Sequence, residues 1–144
     1  MAEEEIRALV HRFFEEWNKG KVAAMAVIDK TCATHYVFHT TGRGIHGVKD
    51  FKKYCANLFD AFPDNQLMLD NLIVEGDKAA YRYTMTGTHK GELMGIRPTN
   101  KNVTMESMEI DILAGGKFVE SWSISDMLGV MRQLGVVSKP RKSK

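Results

Sequence analysis

Residues 66–88, QLMLDNLIVEGDKAAYRYTMTGT, contain two apolar-rich segments joined by the turn Glu75-Gly76-Asp77-Lys78. In the second segment two sets of side chains alternate, Tyr81, Tyr83 and Met85 with Arg82, Thr84, Thr86 and Thr88. A period of two is that of a β-strand, whose successive side chains point to opposite faces. The pattern therefore predicts an antiparallel hairpin of strands Gln66–Glu75 and Ala79–Thr88.

Two further strands are predicted downstream of this hairpin. The segments Val103–Leu113 and Phe118–Ser125 flank the turn Ala114-Gly115-Gly116-Lys117, which has the composition of a hairpin turn. The glycine-containing segment His89–Asn102 connects the two hairpins. Together the four strands form a predicted antiparallel meander.

The chain before this meander is mainly helical in pattern. Apolar residues at helical spacing form one face of a helix over Glu3–Trp17: Ile6, Leu9, Val10, Phe13, Phe14 and Trp17. Similar spacing predicts helices over Val22–Ile28 and Gly47–Phe62, and a final helix covers Met127–Leu134. Tyr36–His39 is predicted to be a short extended segment, followed by a loop over Thr40–Gly44.

Segregation of helices and strands along the chain indicates an α+β fold. We expect a curved, mostly antiparallel sheet wrapped around the N-terminal helices. Such a cone has an open mouth, and a mouth of this kind is a natural pocket for a small molecule.

Length and composition predict one domain over residues 1–138, with residues 139–144 as a basic, disordered tail. The chain has 144 residues, a net charge of +2 and 44% hydrophobic residues. Much of the basic excess lies in that tail, whereas nucleic-acid binding usually needs a basic face. The acidic N-terminus and the lack of a long apolar run predict no membrane partner. Two unpaired cysteines, Cys32 and Cys55, suit a reducing cytoplasm.

Asp126, at the end of the last predicted strand, is the candidate acid–base residue of the sequence. No phosphate-binding loop, zinc signature or nucleophile elbow is present, so no cofactor is expected and carboxylates and histidines remain. Strand alternation places Asp126 on the same face as Phe118, Trp122 and Ile124, where partial desolvation would raise its pKa. The alternative is that Asp126 only caps the helix that follows it. Position alone favours the cap.

The histidines offer weaker candidates. His35 and His39 are four residues apart and share a strand face, but no third ligand has metal-site spacing, so we expect no metal. A structural role for both is favoured. His89 stands at a strand end, where it could line a pocket.

Three groups of motifs resemble the SnoaL-like polyketide cyclase family of the nuclear-transport-factor-2-like (NTF2-like) superfold. The first group is Tyr36–His39, Gly47–Phe51 and Phe59–Asp64. The second is Glu75–Lys78, Gly87–Glu92 and Gly95–Thr99. The third is Gly116–Glu120, Trp122, Asp126 and Gln133–Gly135. In this order and spacing the resemblance covers residues 5–136.

The resemblance implies an NTF2-like cone and cofactor-free ring closure by intramolecular aldol chemistry. In the family an Asp near the end of the last strand is the acid–base residue, and Asp126 looks like its counterpart. Glu109 stands where the characterised cyclases carry a His on the third strand, which is a departure from the family pattern, and Glu109 is itself a candidate catalytic residue. His39, His89 or the Trp122 indole would then donate a hydrogen bond to the enolate. The implied ligand-binding residues are His35, Phe59, Phe62, Met94, Ile96, Met108, Trp122 and Met127.

These observations predict a cyclase-like or isomerase-like enzyme for a polycyclic or aromatic polyketide-type molecule. Two alternatives remain: a non-catalytic module that binds an apolar ligand, and an enzyme of the ketosteroid isomerase or epoxide hydrolase type. A homo-oligomer, most simply a dimer, is also expected, on the argument that an outward face bearing Tyr81, Tyr83 and Met85 would need a partner.

Overall fold

The computed structural model describes residues 1–138 and contains four helices and six strands within them. The helices are α1 (Glu3–Trp17), α2 (Lys21–Thr31), α3 (Val48–Ala61) and α4 (Met127–Leu134). The strands are β1 (Cys32–Thr40), β2 (Arg43–His46), β3 (Gln66–Glu75), β4 (Lys78–Thr88), β5 (Asn102–Ala114) and β6 (Lys117–Ser125). The predicted tail, residues 139–144, lies outside the described residues.

All six strands form one mixed sheet in the order β2-β1-β6-β5-β4-β3. The predicted meander from β3 to β6 is confirmed, and each of its neighbouring pairs is antiparallel. β1 joins the sheet parallel to β6, and β2 pairs with β1 at the edge. The predicted loop over Thr40–Gly44 is wrong in part, because Arg43–His46 forms strand β2. Four residues around a glycine give too short a pattern to identify this strand.

The helices cover the concave face of the sheet. One side of α1 is buried through Ile6, Val10, Phe14 and Trp17, and the ring of Phe14 lies 5.6 Å from Tyr81 and 5.5 Å from Tyr83. This aromatic contact fixes α1 against β4. α3 buries Phe51, Cys55 and Phe59 in the same core. The two layers enclose the core and leave one end of the cone open.

A β-bulge in β6 reverses the in–out alternation of the side chains that follow it. Ile112 pairs with Glu120 but Leu113 pairs with Phe118, so Val119 is an extra residue. Phe118 is therefore buried inside the cone, whereas Trp122 and Ile124 lie exposed on the outer face. The prediction that Phe118, Trp122 and Ile124 share one face with Asp126 is wrong, because it assumed regular alternation along a strand without a bulge.

The outer face of the sheet also differs from the expectation. Tyr81, Tyr83 and Met85 point into the cone, so they give no reason for a dimer. Six other apolar side chains are exposed on the outer face, and we call them the outer apolar patch: Met68, Ile73, Met108, Ile110, Trp122 and Ile124. The predicted dimer remains a prediction, and it now depends on this patch.

Candidate active site

A cavity of about 1170 Å³ occupies the cone between the sheet and the helices. Small-molecule pockets usually measure about 300–1,000 Å³, so this one has room for a polycyclic ligand. Its walls are mostly aromatic and aliphatic, and include Phe14, Tyr36, Phe38, Phe62, Leu67 and Met105. The cavity lining also contains carboxyl groups, which lie at two different depths.

Asp126 lies at the mouth of the cavity, between β6 and α4. Its backbone N–H donates to the Glu106 carbonyl, and its side-chain Oδ1 accepts a 2.9 Å hydrogen bond from the Gly129 N–H. A Cβ at Gly129 would collide with the carboxylate, so the glycine permits this close approach. The residue is exposed to solvent and lines the cavity. Asp126 is therefore the N-cap of α4 and is also accessible to a bound ligand.

Trp122 and Ile124 do not desolvate Asp126, because their side chains lie on the outer face. The expectation of a desolvated carboxyl group at this position is therefore wrong, because it assumed regular side-chain alternation along β6. The location of Asp126 at the cavity mouth is the structural support for a chemical role.

Glu109 and Asp111 line the inner end of the same cavity, where α1 and β1 close the cone. Both point inward from β5. The Tyr81 hydroxyl donates to Glu109 Oε2, and the Ser121 hydroxyl donates to Asp111 Oδ1 over 2.6 Å. Asp111 has no accessible surface. The inner end of an otherwise apolar cavity thus contains two adjacent carboxyl groups.

Burial raises the pKa of both inner carboxyl groups. The pKa of Glu109 lies well above its usual range, first because the group is desolvated and second because the charge of Asp111 is close. Desolvation also raises the pKa of Asp111, while the hydrogen bonds from Glu109 and Ser121 oppose this change. Glu109 is therefore the group of this pair whose protonated form burial favours more strongly.

Five of the sequence-predicted site residues line the cavity. Asp126, Met127 and Met94 surround the mouth, whereas Phe62 and Glu109 lie farther inside. Met94 is 76% exposed and has a positive φ of 48°, in a turn closed by the pairing of Leu93 with Ile96. A bulky residue is rarely found in this backbone region. The turn holds the Met94 side chain at the rim.

Four of the expected wall residues do not line this cavity. Met108 and Trp122 belong to the outer apolar patch. Phe59 is buried in the core, with its ring 4.7 Å from that of Trp17. Ile96 packs against the smaller cluster that contains Phe62 and Met85. These residues support the fold, or a surface, rather than the cavity wall.

The three histidines of the prediction also lie away from the cavity lining. His35 is exposed on β1. His39 is on the outer face, where its Nε2 lies 2.7 Å from Glu120 Oε2 and its ring stacks 5.0 Å from that of Trp122. His89 is buried, and its Nδ1 is 3.0 Å from the Thr99 hydroxyl. The expected enolate donors His39, His89 and Trp122 are thus placed outside the cavity.

The prediction missed Asp111, Tyr81 and Ser121 as parts of the site. The signal for Asp111 was present, because Glu109 and Asp111 are two residues apart in a strand and so share a face. Ser121 gave no such signal, because the bulge at Val119 hides its inward orientation. No group of three or more His, Cys, Asp or Glu residues suited to a metal ion occurs within residues 1–138. No helix in that range is long and apolar enough to span a membrane.

Comparison with solved structures identifies the fold of this protein. The chain is similar to the proposed hydroxylase AclR of Streptomyces galilaeus, with 29% identity and a TM-score of 0.87 over 98% of this chain and 87% of that one. TsrD of Streptomyces laurentii has 26% identity and a TM-score of 0.84, over 95% of this chain and 99% of that one. A proposed SnoaL-like polyketide cyclase from Jannaschia sp. CCS1 has 24% identity and a TM-score of 0.86, over 94% and 95% of the two chains. The protein therefore has the NTF2-like α+β fold.

The family follows from the sequence match. The family model described as SnoaL-like polyketide cyclase matches residues 8–134, which is most of the chain. The protein belongs to the SnoaL-like polyketide cyclase family. A comparison with curated proteins gave no match.

Proposed function

We propose that this protein is a cofactor-independent acid–base enzyme that closes a ring in an apolar, polyketide-type molecule by intramolecular aldol chemistry. Family membership and the similarity to cyclase-like and hydroxylase-like structures support a cyclase-like enzyme. The observation that carries the finer proposal is that one cavity contains an exposed carboxyl group at its mouth, Asp126, and a buried one deep inside, Glu109, whose pKa is raised by burial. Two carboxyl groups in contrasting environments suit separate roles as base and acid.

Asp126 is the proposed base. In its carboxylate form it takes a proton from a carbon next to a ligand carbonyl, and the electron pair of the C–H bond forms the enolate. The enolate carbon attacks a second carbonyl of the same molecule, which forms the C–C bond and an alkoxide. Asp126 returns its proton to that alkoxide, so the reaction needs no further reagent.

Glu109 is the proposed donor to the enolate oxygen. Asp126 lies beside Glu106, and Glu109 is three residues farther along β5, about 10 Å along the strand. Both side chains line the same cavity, so an enolisable carbonyl group can lie between them. A preorganised donor at the site of developing charge is a strong contribution to catalysis in an apolar enclosure. The apolar walls hold the ligand folded, which lowers the entropic barrier to ring closure.

Exchange of α-protons for deuterium tests the proposed base without knowledge of the natural ligand. The probe is 2-acetylnaphthalene, an apolar aryl methyl ketone, followed by NMR in deuterated buffer. We expect the wild-type protein to accelerate exchange of the methyl protons and Asp126→Asn to lower the rate by about a hundredfold or more, the usual scale for a general base. Asn caps a helix about as well as Asp, so the unfolding free energy should change by less than about 1 kcal/mol.

Asp126→Ala provides the matched control for the capping role. It removes the acceptor for the Gly129 N–H and should destabilise the fold by about 1 kcal/mol. If Asp126→Asn retained wild-type exchange while Asp126→Ala only lowered the melting temperature, Asp126 would be a cap alone. A wild-type protein that bound the ketone but gave no exchange would be a ligand-binding module. An exchanging enzyme that moves a double bond without closing a ring would be of the ketosteroid isomerase type.

A further inference from the structure

The inner carboxyl pair, Glu109 and Asp111, is more than a second acid for the proposed reaction. The two residues are separated by one position on β5 and lie on its concave face, about 7 Å apart along the strand. Both line the cavity. Each carboxyl group affects the pKa of the other: Asp111 raises that of Glu109, and a hydrogen bond from Glu109 lowers that of Asp111.

One buried oxygen of this carboxyl pair has no hydrogen-bond donor. Asp111 Oδ1 accepts from Ser121, but Asp111 Oδ2 is buried and has no partner. Glu109 Oε2 accepts from Tyr81. Leaving a buried carboxylate oxygen without a donor is costly. The Tyr81 hydroxyl already donates to Glu109 and the Ser121 hydroxyl to Asp111 Oδ1, so the Glu109 carboxyl is the neighbour that can supply the missing donor, and it can do so only when protonated.

No positive charge compensates the pair within the described residues. Neither carboxyl takes part in an ion pair with Lys, Arg or His there. The titratable groups that face the pair are tyrosines and cysteines from the other strands and from α3: Cys32, Tyr36, Tyr54, Cys55, Tyr81 and Tyr83. Burial raises the pKa of every one of them, that of Cys32 to about 12, so all are neutral near pH 7. Two negative charges here would have only neutral hydroxyls and thiols around them.

We propose that Glu109 and Asp111 hold one proton between them and act as a single acid at the inner end of the cavity. Glu109 carries the proton and presents it to an oxygen of the bound ligand. Asp111, in its carboxylate form, is a positioning residue that keeps this proton in place until the ligand arrives, and Ser121 holds Asp111 in turn. The site therefore takes a ligand with a carbonyl or other acceptor oxygen at its deeply buried end. The proton sharing stands on the free protein alone, and only its use on a ligand rests on the proposed function.

Infrared spectroscopy of the free protein tests the proton sharing. A protonated carboxyl group gives a C=O stretching band that a carboxylate lacks, and we expect that band in the wild-type protein at pH 7. It should disappear in Glu109→Gln. In Asp111→Asn the band should titrate with a midpoint at least about one pH unit lower than in the wild type, because the neighbouring charge and acceptor are gone.

Two further variants keep the test decisive if either substitution impairs folding. Ser121→Ala retains both carboxyl groups but removes the donor to Asp111, so the midpoint should move to higher pH. Asp70→Asn is the matched control. Asp70 Oδ2 accepts a 2.7 Å hydrogen bond from the Thr84 hydroxyl on the outer face, and its loss should leave the band unchanged. Absence of the band at pH 7 in the wild type, or its persistence in Glu109→Gln, would overturn the proposal.

Ketone exchange separates this inference from the proposed function. If the pair serves the enolate oxygen, Asp111→Asn should move the alkaline limb of the pH profile of 2-acetylnaphthalene exchange to lower pH. Asp126→Asn should instead lower the rate at every pH. A wild-type protein with the band but without exchange would support the shared proton and contradict the proposed function. Normal exchange with an unmoved profile in Asp111→Asn would overturn the catalytic use of the pair.

Discussion

The two faces of the same sheet differ in a way that hydrophobicity does not predict. The concave face combines aromatic side chains with buried Asp111, Ser121 and Ser123, whereas the convex face leaves the outer apolar patch in contact with solvent. A monomer rarely exposes a large contiguous apolar area without a use for it. The difference supports the proposal of a ligand inside the cone and the prediction of a contact surface outside it.

A matched pair of methionines gives the largest expected contrast between the faces. Met85 is 0% exposed on the concave face, and Met108 is 64% exposed on the convex face of the neighbouring strand. Met85→Ala should lower the unfolding free energy by about 2–5 kcal/mol, because it leaves a cavity in the core. Met108→Ala should change it by about 0.5 kcal/mol or less. Urea denaturation of both variants measures the contrast, and equal losses would mean that Met108 is also buried, in an assembly.

The pH dependence of stability tests the concave face next. Between the unfolded pKa of a Glu, about 4.3, and its raised pKa in the fold, Glu109 binds more protons when folded than when unfolded. Its contribution is therefore fully present below that range and is lost as pH rises, by up to about 1.4 kcal/mol per pH unit. Glu109→Gln should remove this slope, so the variant should gain stability relative to the wild type as pH rises above the unfolded pKa of about 4.3. Denaturation at each pH measures this difference. A difference in unfolding free energy between Glu109→Gln and the wild type that is the same at every pH would contradict the prediction.

The convex face should show a smaller electrostatic effect. His39 Nε2 and Glu120 Oε2 are hydrogen-bonded there, with both side chains about one-third exposed. Pairs in such positions contribute about 0–1 kcal/mol, because water and salt screen them. Glu120→Gln should therefore lower the unfolding free energy by less than about 1 kcal/mol, and added salt should reduce the loss further. A loss above about 2 kcal/mol would show that an interface encloses this pair.

Ile124→Lys is expected to have the smallest effect on folding and to affect assembly instead. We expect the outer apolar patch to mediate a two-fold dimer, the commonest symmetric assembly. A lysine at Ile124 should shift light-scattering mass from dimer to monomer at micromolar concentration, with the monomer's unfolding free energy changed by about 0.5 kcal/mol or less. Val22→Lys is the control, since Val22 is 86% exposed on α2, away from the sheet. A wild-type protein that is monomeric would contradict the expectation.

The elements defined by local pattern were predicted from the sequence, and those that depend on distant partners were not. The bounds of α1, β3 and α4 agree with the prediction, because amphipathic spacing and turn residues are local signals. The edge strand β2 and the parallel pairing of β1 with β6 depend on long-range pairing. β1 and β2 therefore extend the predicted four-strand meander to a six-strand mixed sheet.

The candidate site divides in the same way. Asp126 and Glu109 were identified from position and resemblance, and both line the cavity. His39, Met108 and Trp122 were assigned to the cavity from strand alternation and resemblance, but they lie on the convex face. Asp111 gains its role from a missing donor and from Ser121 on a neighbouring strand. This role depends on contacts between strands that the sequence alone does not show.

The single extra residue Val119 has a consequence for how this domain tolerates changes in length. Because side chains alternate with a period of two, an extra residue that β6 did not accommodate in a bulge would act on the sheet as a frameshift acts on a coding sequence. Trp122 and Ile124 would turn inward and fill the space, while Ser121 and Ser123 would turn to the surface. The composition of the strand would hardly change, yet a hollow receptacle would become a solid core. The bulge at Val119, as much as the identity of the residues in β6, keeps the cone empty enough to receive a ligand.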